Sequence, residues 1–339
     1  MFIIYIDDRK EVLNLLWFKK SKDNFPIIKC SYMLGTIINL KVYGENAAKG
    51  IDKSLKRIQE IDDKMSVFKE DSEVSKINKN AGVCLQRVSK DTYYVLETSL
   101  KYSDMSKGAF DPTIRPLVDV WGFGRGVERV PNKEKIEYAL KLVSYKEISL
   151  NKDEKSIGLN NKDQSIDLGA VAKGFAADET RDILLKNNVK SAVIDLGGNI
   201  FTLGSNLNGD PWRIGIQDPV KPTGTYMGII SVRNKSIVTS GNYERFFISR
   251  GKRYHHILDS KTGFPSENGV ISVTIISDNS IDGDALSTCA YVMGLENGYK
   301  LIQSIPNVDA IFITGNKKIY ITDGIKNNFK LVNEEYIVA

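Results

Sequence analysis

The sequence predicts an α+β fold, in which strands run together and helices cluster instead of alternating one for one. Three observations lead there. A β-rich alternating stretch at 36–43 is followed at once by an amphipathic one at 46–63. Five strand-like segments follow one another between Trp212 and Ile257. Helix-like stretches gather in the first half of the chain. The 339 residues, 42% hydrophobic and 26% charged, are long and apolar enough to bury a sizeable core.

Thr36 to Tyr43 (TIINLKVY) alternates apolar and polar side chains, as a half-buried strand does. Asn46 to Asp63 sets Ala47, Ile51, Leu55, Ile58 and Ile61 at near-helical spacing. Asp91 to Ser106 reads as a second helix with Asp91 as its N-cap, and Asn132 to Val143 as a third, started by Pro131 and Asn132. Ile148 to Leu159 reads as a hairpin around Asp153-Glu154-Lys155. A strand is expected to end in Asp167, followed by a helix from Gly169 to Lys186 and a strand from Ala192 to Leu196. Between Trp212 and Ile257 the strands are WRIGI, MGIISV, SIVTS, RFFIS and YHHIL. Val270 to Ser277 is another, Asp284 to Met293 a helix, and Val308 to Thr322 a hairpin turning at Gly315-Asn316-Lys317.

Lys and Arg total 47 against 42 Asp and Glu, spread along the chain without the basic stripe that marks nucleic-acid binding. Cys30, Cys84 and Cys289 are too few and too scattered for a disulfide framework or a zinc site, and they read as small buried hydrophobes. The organisation expected is a short extension at 1–28 and one domain over 29–339. The apolar patch at Leu13 to Phe18 is too short for a signal or a membrane span.

Several motifs are missing. There is no G-x-G-x-x-G after a strand, no Walker A loop, no G-x-S-x-G and no H-E-x-x-H. Four polar, Gly-containing segments remain. Gly108-Ala-Phe-Asp-Pro-Thr113 reads either as a turn or as a binding loop. In Asp167-Leu-Gly-Ala-Val-Ala-Lys173-Gly-Phe-Ala-Ala-Asp178, small residues open a helix whose amides, with Lys173, suit an anion. The same small residues would equally permit close helix packing. His255 and His256, the only two histidines, stand at a strand end before Asp259-Ser-Lys-Thr-Gly263 and offer a base or ligand near neutrality. Asp284 and Thr288 lie four apart on one helix face, with oxygens suited to a hard cation such as Mg²⁺; the other reading of Asp282 or Asp284 is a helix cap.

Taken in order, these segments resemble the ApbE family, the FAD:protein FMN transferases. The resemblance runs from Leu34-Gly-Thr36 through Lys64-Met-Ser-Val-Phe68, Ser72-Glu-Val-Ser-Lys-Ile-Asn78, GAFDPT, PLV, WGFG and DLGAVAKGFAAD. It continues through Val193-Ile-Asp-Leu-Gly-Gly-Asn199, WRIGI and Thr239-Ser-Gly-Asn-Tyr-Glu244, and ends in HILDSKTGFP and DGDALST. Phe68 replaces the family's usual Tyr, and Ser260 the Pro of its Asp-Pro-x-Thr-Gly pattern.

The resemblance implies two mixed α/β subdomains with FAD in the cleft between them. It implies Mg²⁺ on the diphosphate, and transfer of FMN to a Ser or Thr of an acceptor flavoprotein with release of AMP. Met65, Ala109, Phe110, Asp111, Asp167, Lys173, His256 and Ile257 would contact FAD. Asp284 and Thr288 would hold Mg²⁺ by side chain, and Ala170 by its carbonyl. Lys173 would add positive charge, and His256 would take the acceptor's proton, with Asp111 and Asp167 as alternative bases. An FAD diphosphatase releasing FMN and AMP, and a non-catalytic FAD carrier, remain as alternatives. Many family acceptors are membrane respiratory subunits facing outward. This chain shows no lipobox, because Cys30 follows Ile27-Ile-Lys29. As written it is expected in the cytoplasm, and a lost N-terminus would restore a membrane-anchored, extracytoplasmic place.

Overall fold

The computed structural model describes residues 25–339. Nine strands form the main sheet: β1 (Ile27–Met33), β2 (Thr36–Tyr43), β3 (Ser191–Leu196), β4 (Asn199–Leu203), β5 (Lys235–Gly241), β6 (Val270–Ser277), β7 (Asp309–Thr314), β8 (Lys318–Ile321) and β9 (Ile337–Val338). They lie side by side in chain order, each antiparallel to the last except β9, which runs parallel to β8. Tight turns make this possible. Gly197 and Gly198 between β3 and β4 both take left-handed φ, 65° and 94°. A Cβ on Gly197 would sit 2.0 Å from Thr36 Oγ1, so only glycine fits beside the start of β2.

Among the described residues, seven α-helices accompany the sheet: α1 (Ala47–Met65), α2 (Glu73–Lys79), α3 (Lys90–Met105), α4 (Arg115–Trp121), α5 (Lys133–Leu140), α6 (Ala172–Lys186) and α7 (Ser280–Gln303). The alternation in β2 divides the layers. Ile38, Leu40 and Val42 face α1 and α6 in the largest core, where Ile51, Ile58 and Ile61 of α1 are fully enclosed. Tyr43 faces the other way, into a second core. That core is closed by a three-stranded sheet of Trp212–Gln217, Tyr226–Val232 and Phe329–Leu331, through Trp212, Ile214, Met227 and Ile230. Each enclosed Ile or Leu contributes about 1.5–3 kcal/mol. A third, smaller core joins α4 and α5 to a hairpin of Phe246–Ser249 and Lys252–His255, centred on Trp121.

Several expectations change. β1 begins at Ile27, inside the expected extension, whose residues 1–24 lie outside the described residues. The N-cap of α3 is Ser89, not Asp91, because Glu73 of α2 accepts from the Ser89 amide and hydroxyl. Asp91 instead pairs with Arg57 at 2.7 Å and Lys64 at 2.6 Å. No strand ends in Asp167: residues 164–168 are irregular, and α6 starts at Ala172. α5 stops at Leu140, although Asn132 caps it as expected, its side chain accepting from the Lys135 amide. α7 is longer than its apolar stripe suggested, running Ser280–Gln303 across a break at Gly294. Cys30 and Cys84 are exposed, and only Cys289 is a buried hydrophobe. Among the described residues no helix is long and apolar enough to cross a membrane.

Candidate active site

Small residues bring α6 and α7 together. A Cβ on Gly174 would meet Ser280 O at 2.4 Å, so the two helices cross in backbone contact there. The crossing lets Asp178, at the end of the DLGAVAKGFAAD segment, cap α7. Its carboxylate accepts from the Ser280 and Ile281 amides at 2.8 and 2.9 Å. It also sets Lys173 of α6 against Asp284 of α7, with Nζ 3.5 Å from Oδ1 and 3.2 Å from Gly169 O. The Gly174 amide donates to Asp284 Oδ2 at 2.6 Å. Burial pushes the Asp284 carboxyl above the ordinary carboxylate range, against the pull of Lys173, Asn199 and that amide.

The Gly174 bond has a consequence one turn earlier. In a helix this amide would return to Ala170, but it goes to Asp284 instead, so the Ala170 carbonyl has no hydrogen-bond donor among the described residues. Thr288 stands one turn beyond Asp284, its Oγ1 3.4 Å from Ser240 Oγ, which itself pairs with Ser287 at 2.8 Å. A carboxylate, a hydroxyl and an unclaimed carbonyl make an all-oxygen donor set, which fits a hard divalent cation completing its shell with water or phosphate.

His256 follows the hairpin strand that ends at His255. Its amide and its Nδ1 both reach Arg245 O, at 3.0 and 3.2 Å. A carbonyl only accepts, so Nδ1 carries the hydrogen and the Nε2 lone pair is left free. Burial, then the charges of Arg245 and Lys173, push the imidazolium down to about 3, so the ring is neutral at pH 7. His255 is buried elsewhere, with Nε2 on Ser266 O at 3.1 Å; it pins the loop that follows. Glu244, next to Arg245, is pushed up to about 7 by enclosure of its carboxyl, although Lys173 and Arg245 pull it down.

The alternative bases are already engaged. Asp111 accepts from Thr113 N and Oγ1 at 2.8 and 2.6 Å and from Tyr145 N at 2.9 Å, so it locks its own loop to the start of the 148–159 hairpin. Asp167 pairs with Arg115 at 3.0 Å and accepts from Gly169 N at 2.8 Å. The buried Arg115 also meets Asp119 at 2.6 Å, and its guanidinium lies 5.2 Å from the exposed Phe68 ring. Met65, Ala109, Phe110 and Ile257 are buried. Ser260 donates to Gly108 O, joining the DSKTG loop to the GAFD loop through a hydroxyl that proline would lack. A separate hollow of about 550 Å³, lined by Arg233, Lys235, Asn307 and Asn328, holds none of the expected residues.

The model of the ApbE family matches residues 34–312. The chain belongs to the ApbE family. It is 33% identical to the FAD:protein FMN transferase of Treponema pallidum, covering 91% of this chain and 90% of that one. It is 34% identical to the protein of the same name from Klebsiella pneumoniae, with 93% and 98% covered. Its fold is similar to that of the ApbE protein from Thermotoga maritima, with a TM-score of 0.82 at 32% identity over 89% of this chain and 99% of that one. The Vibrio cholerae flavin transferase ApbE gives a TM-score of 0.80 at 26% identity.

Four residues of this candidate site have no role assigned from the sequence. Gly174 and Asp178 lay inside a quoted segment without roles of their own. Arg115, a charge inside the apolar run Ile114–Val118, carried a readable signal. Arg245 acts through its carbonyl, and no side-chain pattern could have disclosed that.

Proposed function

We propose that this protein transfers FMN from FAD to a Ser or Thr hydroxyl of an acceptor flavoprotein and releases AMP. The observation that carries the reading is the meeting of buried Asp284 with Lys173 beside the unclaimed Ala170 carbonyl. Breaking a diphosphate calls for charge neutralisation above all, because charge develops on phosphoryl oxygens. The Lys173 ammonium supports that role. His256 Nε2, neutral and free, accepts the proton of the attacking hydroxyl. The hydroxyl oxygen bonds to the FMN-side phosphorus, the bond from that phosphorus to the AMP phosphate oxygen breaks, and AMP leaves. Asp284, Thr288 and Ala170 O would hold Mg²⁺, which when bound supplies Lewis-acid polarisation of the diphosphate. The family resemblance makes a membrane respiratory subunit one member of the acceptor class.

The test is AMP release from FAD with Mg²⁺, with and without a flavoprotein domain bearing a modifiable Thr, together with the intact mass of that domain. An acceptor heavier by FMN less water supports transfer. AMP with free FMN and an unmodified acceptor turns the reading toward an FAD diphosphatase. Asp284→Ala is expected to abolish turnover, and unchanged AMP release from it would remove the metal assignment.

A further inference from the structure

The hairpin that delivers His256 has an unused side. Its strands, Phe246–Ser249 and Lys252–His255, turn through Arg250 and Gly251, both left-handed at φ 49° and 77°. Phe247 and Tyr254 stack on one face, centroids 5.4 Å apart, and pack on Trp121. The opposite face shows Ile248, 64% exposed, and Phe246, 39% exposed, with the Arg253 guanidinium 4.2 Å from the Phe246 ring. Among the described residues, 246–255 make no backbone hydrogen bonds outside the hairpin's own ladder. The edge at 246–249 therefore offers unpaired backbone groups to another strand, whereas Ser266 and Glu267 lie against the other strand through His255 and Lys252. Between 244 and 255 stand Arg245, Arg250, Lys252 and Arg253 against the single acid Glu244; Lys252 is paired with Glu267.

We propose that this hairpin docks the acceptor protein, taking an extended acidic–apolar segment along its open edge so that the segment's hydroxyl arrives at His256. The inference rests on the transferase reading. Three observations give the occupant its chemistry. Open backbone groups suit an extended chain. Exposed Ile248 and Phe246 suit an apolar side chain. The excess of cations suits carboxylates on the partner. Ile248 pairs with Arg253, three residues before His256, so an acceptor side chain seated on Ile248 lies about 10 Å along an extended chain from the reacting hydroxyl. The charged edge has a competing explanation as a guard against self-association, and the experiment separates the two.

The probe is the flavoprotein domain that gains FMN in the mass assay above. Ile248→Asp and Arg250→Asn change exposed side chains, and Asn tolerates the left-handed φ at 250. Each is expected to raise the KM for the acceptor about tenfold with kcat little changed. AMP release from FAD without acceptor should equal that of the wild type. Hydrogen exchange at 246–255 in the wild-type protein is expected to slow when the acceptor is added, a readout that does not depend on any variant folding. Unchanged KM in both variants, with no added protection, overturns the docking role alone. A wild type that releases AMP and modifies no acceptor overturns the transferase reading and this inference with it.

Discussion

Gly174→Ala places one methyl group where α6 crosses α7. The added Cβ would lie 2.4 Å from Ser280 O and 2.6 Å from Ile281 Cα, whereas ordinary contact begins near 3.4 Å. Backbone cannot swing aside as a side chain can, so the helices must part by about 1 Å. Overpacking of this kind costs about 1–3 kcal/mol, and the better helix propensity of Ala returns about 1 kcal/mol. The net loss in a urea titration is therefore about 0–2 kcal/mol. The effect on catalysis is larger. The Gly174–Asp284 bond of 2.6 Å and the Lys173–Asp284 approach of 3.5 Å both span the crossing. A displacement near 1 Å lowers the rate of AMP release from FAD about 100-fold. A variant that gains stability by the propensity difference alone, with a rate within about twofold of wild type, would refute the claim that this helix contact sets the site.

Three further outcomes are expected. His256→Gln removes the free nitrogen and lowers kcat about 10²–10⁴-fold. Because the wild-type imidazolium is pushed down to about 3, the active neutral form persists as pH falls through 6.5, and the rate profile has no limb there. A limb near 6.5 that persists in Glu244→Gln contradicts this, whereas one near 7 that vanishes in that variant belongs to Glu244. Asp178→Ala leaves the Ser280 and Ile281 amides without their acceptor and is expected to cost about 2 kcal/mol of unfolding free energy in a urea titration. A shift below about 0.5 kcal/mol would show that water replaces the cap.

What could be read along the chain was whatever local repetition encodes. The 3–4 spacing of α1 survives because the helix buries one face, whereas the alternation of β2 shows in burial only up to Leu40, since both faces are covered at 41–43 by the two cores. β1 escaped notice for the same reason: most of its residues are exposed, so nothing enforces a pattern. The cap of α3 was misread because Ser89 and Asp91 both suit a helix start, and only the arrival of Glu73 from α2 separates them.

The site divides in the same way. Lys173, Asp284 and Thr288 are legible in short motifs that carry their chemistry within a few residues, whereas Ala170 and the choice of His256 over His255 come from the resemblance to the ApbE family. Their joint geometry depends on distance in the chain. Lys173 and Asp284 are 111 residues apart, and they meet only because Gly174 lets α6 lie against the start of α7. The sequence offers His256 as the base with Asp111 and Asp167 as alternatives, and only the fold sets Tyr145 N against Asp111, Arg115 against Asp167 and Arg245 O against His256 Nδ1. A residue's chemical capacity is a property of its type and neighbours in sequence. Whether that capacity is left free or consumed depends on which distant backbone groups the closed core brings against it.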